Sequence, residues 1–195
     1  MPLTLRGDQA VPLTHQELDD NLTYLEDAAE RAIQTTGHEF SLHTNAAVAL
    51  TPGVKTWLQG DGAGFNSEHH FASGVTAWDG VNQFDLANLN VPIDTQFELR
   101  LDVEFDLDQR NTSVTIGLDV GIGSSSEFTL VLRDGEMNRS GVHVRSFSAP
   151  WFSGNANLIN FPTRAWIQVD KNTDVRLISH YLRFTPVLAQ RPALT

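Results

Sequence analysis

Between Phe97 and Leu107 the chain alternates without a break. Phe97, Leu99, Leu101, Val103, Phe105 and Leu107 are apolar, and the residues between them, Glu98, Arg100, Asp102, Glu104 and Asp106, are charged. Successive side chains of a strand point to opposite faces, so this period of two demands a long strand with one dry face and one wet face. A dry face must be buried against another layer, which makes the strand the seed of a packed β-domain. Val114, Ile116, Leu118 and Val120 repeat the pattern, as do Phe128, Leu130 and Leu132. Shorter strands are predicted over 142–147 and 165–169, and 174–188 closes the run. Earlier ones are expected near 46–50, 54–59, 68–78 and 82–86.

Turn chemistry falls between these segments, at Asp108–Asn111, Gly121–Ser126, Asp134-Gly135, Gly154–Asn157 and Lys171-Asn172. Eight to ten strands with short links and no helix between them predict antiparallel pairing, and one wet face per strand predicts two stacked sheets. The expected fold is mainly β: an antiparallel jelly-roll-like β-sandwich, with a closed barrel as the alternative. No internal repeat is present, which argues against a solenoid or propeller.

Ahead of the strands, residues 13–37 read as a helix over roughly 15–35. Thr14-His15-Gln16-Glu17 fits a capping box, with Leu13 and Leu18 placed to staple the first turn. Glu17, Asp19 and Asp20 suit the positive end of the helix dipole, and Gly37 is a natural stop. Leu18, Leu22, Leu25, Ala29 and Ala32 are spaced four, three, four and three apart, a coiled-coil seam on an otherwise polar and acidic helix. The spacing is equally that of an amphipathic helix lying on its own domain, and leucine does not choose between two strands and three. So narrow a seam, flanked by acids, fits self-association better.

Composition narrows the function classes. The formal net charge of the 195 residues is -11, and Lys and Arg form no block in the sequence. Phosphate affinity depends on clustered cations, so a duplex-binding surface is not expected, and nucleic acid is not among the expected partners. There are no cysteines, which removes disulfides, thiolate metal sites and cysteine nucleophiles. Residues 1–12 lack the apolar run of a signal peptide, and no apolar stretch approaches the ~18–20 residues of a membrane span. Membrane insertion is not expected.

Leu13-Thr14-His15-Gln16-Glu17-Leu18-Asp19-Asp20-Asn21-Leu22 resembles the "PLTH-E-D-NF" opening segment of bacteriophage tail-fibre and other virion appendage proteins, with Leu22 where Phe is usual. Phe97–Leu107 through Asn155–Val187 is similar in layout to their jelly-roll domains, which carry an "FELR" strand and a late proline-led strand like Asn160-Phe161-Pro162. The resemblance implies a homotrimer carried on the virion, with residues 1–14 as an attachment arm to other virion proteins. It also implies a trimeric helical stalk over 15–37 and an outward β-sandwich over 38–195. The trimer comes from the resemblance and not from the spacing.

Sites of chemistry are sparse. His69-His70 cannot readily chelate one ion, because neighbours in a strand face opposite ways. Asp102, Glu104, Asp106 and Asp108 form an acidic ladder whose members sit about 7 Å apart, too far to share a proton; the expectation is a solvated face that discourages edge pairing. No nucleophile elbow occurs, and Gly60-Asp61-Gly62-Ala63-Gly64 lacks the residues of a phosphate loop. Phe147-Ser148-Ala149-Pro150-Trp151-Phe152 reads as a loop that buries or presents large rings. Phe147, Trp151 and Phe152 are therefore candidates to stack a sugar or anchor a partner, or else they fill the sandwich end. Trp57, Trp78 and Trp166 are expected within strands, in the core or an interface.

The reading is a structural, non-enzymatic, cofactor-free component of a phage virion, made in the host cytoplasm. It is expected to be a homotrimeric fibre or spike appendage that contacts a host surface glycan or protein. The alternatives are a capsid decoration protein without a receptor role, and a carbohydrate-active enzyme or glycan-binding module.

Overall fold

A computed structural model describes residues 14–33, 37–69 and 76–186, with the side chains of residues 17, 26–33 and 69 outside the description. The expected arm thus falls almost wholly outside the described residues. The chain divides between Thr36 and Gly37 into two units. The first holds helix α1 (His15–Ile33). It starts directly after Thr14, where Leu18 N–H donates to the Thr14 carbonyl at 3.0 Å. Thr23 Oγ1 donates to the Asp19 carbonyl, and Gln16 Nε2 donates to the Asp20 carboxylate, each at 2.9 Å. Both bonds link residues four apart, as the helical repeat dictates.

The second unit is mainly β. In chain order its strands are β1 (Gly37–Leu42), β2 (Val48–Leu50), β3 (Thr56–Trp57), β4 (Asn66–His69), β5 (Thr95–Leu107), β6 (Thr112–Val120), β7 (Phe128–Met137), β8 (Gly141–Ser153), β9 (Arg164–Val169) and β10 (Thr173–Pro186). One sheet has the order β4-β1-β10-β5-β8, with β2 pairing the start of β10; the other has the order β3-β9-β6-β7. Every pairing is antiparallel. Setting β2 and β4 aside, first strand beside last and fifth beside eighth, facing third-ninth-sixth-seventh, is the connectivity of an eight-stranded jelly roll. The sandwich follows from the alternation: Phe97 to Leu107 on β5, Val114 to Val120 on β6, and Ala165, Ile167 and Val169 on β9 form one buried core between the sheets.

Several expectations shift. β4 takes in the start of the expected 68–78 strand, whose residues 70–75 lie outside the described residues, and 82–86 forms no strand. Trp78 and Phe84 instead meet in an isolated bridge, and Phe84 bridges Thr163 as well. The Asp79 side chain accepts the N–H groups of Val81, Asn82 and Gln83 at 2.8–3.1 Å, and this turn closes the ladder before it can lengthen. Trp78 is accordingly buried outside any named strand. Asp134 and Gly135 lie inside β7, where Thr115 Oγ1 donates to Asp134 at 3.0 Å; the chain reverses at 138–140. The links are not free of helix, since a 3-10 turn occupies Leu86–Leu89 and a short α2 spans Asn157–Asn160.

β10 carries the consequential irregularity. Its register against β5 slips between Leu177 and Ser179. A single extra residue reverses which face each later side chain takes. Val175 and Leu177 are buried before the slip, and His180, Leu182 and Phe184 after it.

Candidate functional site

The residues singled out by sequence fall in both units of the chain. On α1, Leu18, Leu22 and Leu25 are 44%, 56% and 51% exposed, an apolar row presented on the helix surface. Ala29 and Ala32 continue the row along the helix, but their side chains lie outside the described residues. His70 lies outside them too, as does the side chain of His69. No group of three or more His, Asp or Glu side chains capable of holding a metal ion occurs among the described residues.

The aromatic stretch corrects the sequence reading. Phe147, Trp151 and Phe152 belong to no loop: they sit in β8, whose register with β5 runs unbroken from Thr95–Ser153 to Leu107–Gly141. Pro150 is tolerated because β8 is an edge strand. Phe147 and Trp151 point inward. Trp151 stacks on Phe97 with centroids 5.2 Å apart, and Phe147 meets Phe105 edge-on at 6.1 Å. Only Phe152, 49% exposed, is left at the surface. The alternation that puts Phe152 outside puts its two neighbours in the core, so the three rings form no shared platform.

The acidic ladder is wet but guards no edge, because β5 lies between β10 and β8. Asp102 is flanked by Ser146 and Ser179, both of which donate to its carboxylate, and Arg100 adds an ion pair. Burial raises the Asp102 pKa, yet these donors together outweigh it and hold the carboxyl below its ordinary value. Glu104 pairs with Arg176 across the strands at 3.0 Å. The two carboxylates are therefore committed to neighbours and not poised as an acid and a base.

Sequence reasoning missed the most buried polar cluster. Glu39 on β1, His180 on β10 and His43 just past β1 have side chains 1%, 0% and 0% exposed. Gly62 N–H donates to His43 Nδ1 at 2.9 Å, which leaves the His43 proton on Nε2. That N–H donates to His180 Nδ1 at 3.0 Å, and His180 Nε2–H then donates to Glu39 Oε1 at 3.0 Å. Ala77 and Trp78 N–H groups complete the Glu39 carboxylate at 2.6 and 3.2 Å. Each donor and acceptor in the line has one role, so the cluster is a one-directional relay that ties β1, β10 and two loops together. Burial lowers the His43 pKa to about 4, with the neighbouring His180 adding to the effect and Asp61 and Glu39 opposing it. Gly60 permits the approach: a Cβ there would lie 2.5 Å from His43 Nδ1. The relay has no exposed member, and its hydrogen bonds order the fold. A lone Glu and two distant His carry no sequence signal that would have joined them.

A second cluster sits on the outer face of the other sheet. Lys55 pairs with the buried Asp119, which also accepts Trp166 Nε1–H at 2.9 Å and Thr129 Oγ1–H at 2.7 Å. The ammonium lies 4.6 Å and 5.0 Å from the ring centroids of Trp166 and Trp57, a cation–π cap over both indoles. The cap covers the one pair of adjacent tryptophans that could have offered a flat stacking surface.

No family model and no curated protein matches the chain. Among solved structures it is similar to the Eiger TNF from S. frugiperda, at 8% identity over 82% of this chain and 96% of that one, with a TM-score of 0.41. It is also similar to the CBM22-1 xylan-binding domain of Paenibacillus barcinonensis Xyn10C, at 11% identity over 76% and 94%, TM-score 0.39. The Tobacco streak virus coat protein dimer matches at 14% identity over 75% and 97%, TM-score 0.28. At such identities and scores, nothing that those proteins bind or assemble into transfers to this chain.

Proposed function

We propose that this chain is a structural component of a bacteriophage virion, a homotrimeric appendage with α1 as its stalk and the jelly roll as its head. The observation that carries the reading is the row Leu18, Leu22 and Leu25, exposed on a helix whose other faces are polar. Exposed leucines in a four-three repeat are the surface that parallel copies of one helix bury against each other. The opening segment at residues 13–22, which resembles that of phage appendage proteins, supports both the virion setting and the number three. The acidic flanks, Asp19 and Asp20, suit the water-facing rim of such a bundle.

Light scattering on the full chain tests the assembly. The expected mass is three times 21.6 kDa. Leu22→Asp with Leu25→Asp is expected to dissociate the trimer, because every subunit would bring two carboxylates into a seam that cannot solvate them. A monomeric parent chain, or a trimer that survives both substitutions, sinks the stalk.

A further inference from the structure

Three arginines of the β7–β8 hairpin and Arg110 from the β5–β6 turn come together at one end of the sandwich. Arg133, Glu136, Met137, Asn138, Arg139, His143 and Arg145 line an open cleft of about 310 Å³. A second hollow adjoins it, lined by Arg110, Asn138, Arg139 and Ser140. Register shows why the cleft exists. Arg133 and Met137 pair with Ile116 and Thr112 of β6, and His143 and Arg145 pair with Phe105 and Val103 of β5. The partners Ile116, Thr112, Phe105 and Val103 are all completely buried, so the paired positions on β7 and β8 share the inward face. At this end the two edge strands place Arg133, His143 and Arg145 where the alternation calls for apolar side chains, and the sheets leave an open polar wedge between them.

The wedge is electrostatically unfinished. Four arginines and one carboxylate, Glu136, line the two adjoining hollows, in a chain whose net charge is -11, and the Arg145 guanidinium donates to the Val144 carbonyl at 3.2 Å. Among the described residues no ion pair engages any of the four. Like charges held together are mutually destabilising, and an anion between them relieves the repulsion. Guanidinium forks bind carboxylate and phosphate oxygens two at a time. The remaining lining fits a hydroxylated ligand: Asn138 and Ser140 donate and accept, Glu136 accepts, and His143 is anchored by its Nε2–H to the Arg139 carbonyl at 3.1 Å. The cleft volume lies at the lower end of the range for small-ligand sites and exceeds what a bare ion fills.

We infer that this cleft binds an anionic saccharide, the carboxylate or phosphate of the sugar held by Arg133 and Arg145 and its hydroxyls by Asn138, Ser140 and Glu136. The inference does not depend on the trimer, since every lining residue belongs to one chain. If the virion reading holds, the ligand is an acidic glycan of the surface the appendage meets.

Calorimetric titration of the full-length protein with a glucuronate-containing oligosaccharide, glucose 6-phosphate, maltose, inorganic phosphate and a short oligothymidylate tests it. Binding is expected for the uronate or the sugar phosphate, weakening as salt is raised, and the tighter of the two identifies the acidic group. Arg133→Gln and Arg145→Gln are each expected to weaken that binding about tenfold or more, the share of one charge-assisted fork. Arg183→Gln, on β10 and outside the cleft, is expected to leave it unchanged. The proposal fails if neither anionic sugar binds, in which case the arginines only keep the two edges from pairing with other chains. It fails equally if maltose or inorganic phosphate binds as tightly, if the oligothymidylate binds more tightly, or if both arginine variants bind like the parent.

Discussion

At the scale of single residues, the His43–His180–Glu39 relay makes stability depend on pH in a window set by His43. Its folded pKa is about 4 against an ordinary value of 6.5. Between those values the unfolded chain binds a proton that the folded chain refuses, so stability rises with pH across the window and falls on acidification. The shift corresponds to at most about 3 kcal/mol, lost progressively between roughly pH 6.5 and 4. Urea unfolding at pH 7 and at pH 4.5 is expected to show this loss, and His43→Gln is expected to flatten it. Asp61 acts in a separate window: hydrogen bonds from Thr44 and Ala63 lower its pKa to about 2, so its contribution fades only below its unfolded value. A steric prediction concerns Gly117. A Cβ there would lie 2.5 Å from the Trp166 ring and 2.9 Å from the Leu130 carbonyl oxygen. Gly117→Ala is expected to destabilise the protein by about 1–3 kcal/mol, because ring and backbone must both yield; thermal melts with calorimetry read it.

At the scale of elements, β5 is the strand whose cross-strand partners decide most. Asp102 is balanced by two serines and an arginine, and Glu104 by Arg176, but Asp106 stands opposite Asp174 of β10. Both carboxylates are exposed, and like charges directly opposite cost a fraction of a kcal/mol. Asp174→Lys is expected to stabilise the sandwich by roughly 0.5 kcal/mol, read as a raised urea midpoint with an unchanged slope. An unchanged or lowered midpoint would mean the pair is already screened. The β10 bulge belongs to the same scale. It lets Leu177 and His180 share the interior, and with them the relay.

For the whole jelly-roll unit, closure joins the two ends of its sequence: β1 pairs β10 along its full length, and His43 meets His180 across 137 residues. Contacts so distant in sequence are made late and slowly, so refolding is expected on the millisecond-to-second scale typical of all-β folds. They also make the unit all-or-none. Leu182 is completely buried on β10, between β1 and β5. Leu182→Asp would place an unpaired carboxylate there at a cost of several kcal/mol, comparable with the total stability of a domain. The expected outcome is loss of near-ultraviolet dichroism from the tryptophans of both sheets together. Loss confined to one sheet would show that they fold separately.

What the sequence determined by itself is everything that repeats locally. The alternation from Phe97 to Leu107 fixed the longest strand and its dry face, and the capped segment after Thr14 fixed the start of α1, because both patterns are read over a few neighbours. Turn residues placed the reversals at Asp108–Asn111 and Lys171-Asn172 for the same reason. Phe147 and Trp151 marked the limit of that reading: a proline between rings suggested a loop, and only pairing with β5 made the segment a strand and sent those two rings inward. The bulge in β10, the relay among Glu39, His43 and His180, the capping of Trp57 and Trp166 by Lys55, and the gathering of Arg110, Arg133, Arg139 and Arg145 were decided by tertiary structure. Each depends on which residues face one another across strands, and register sets that through the packing of the whole sandwich, over separations at which one sequence carries no periodic signal.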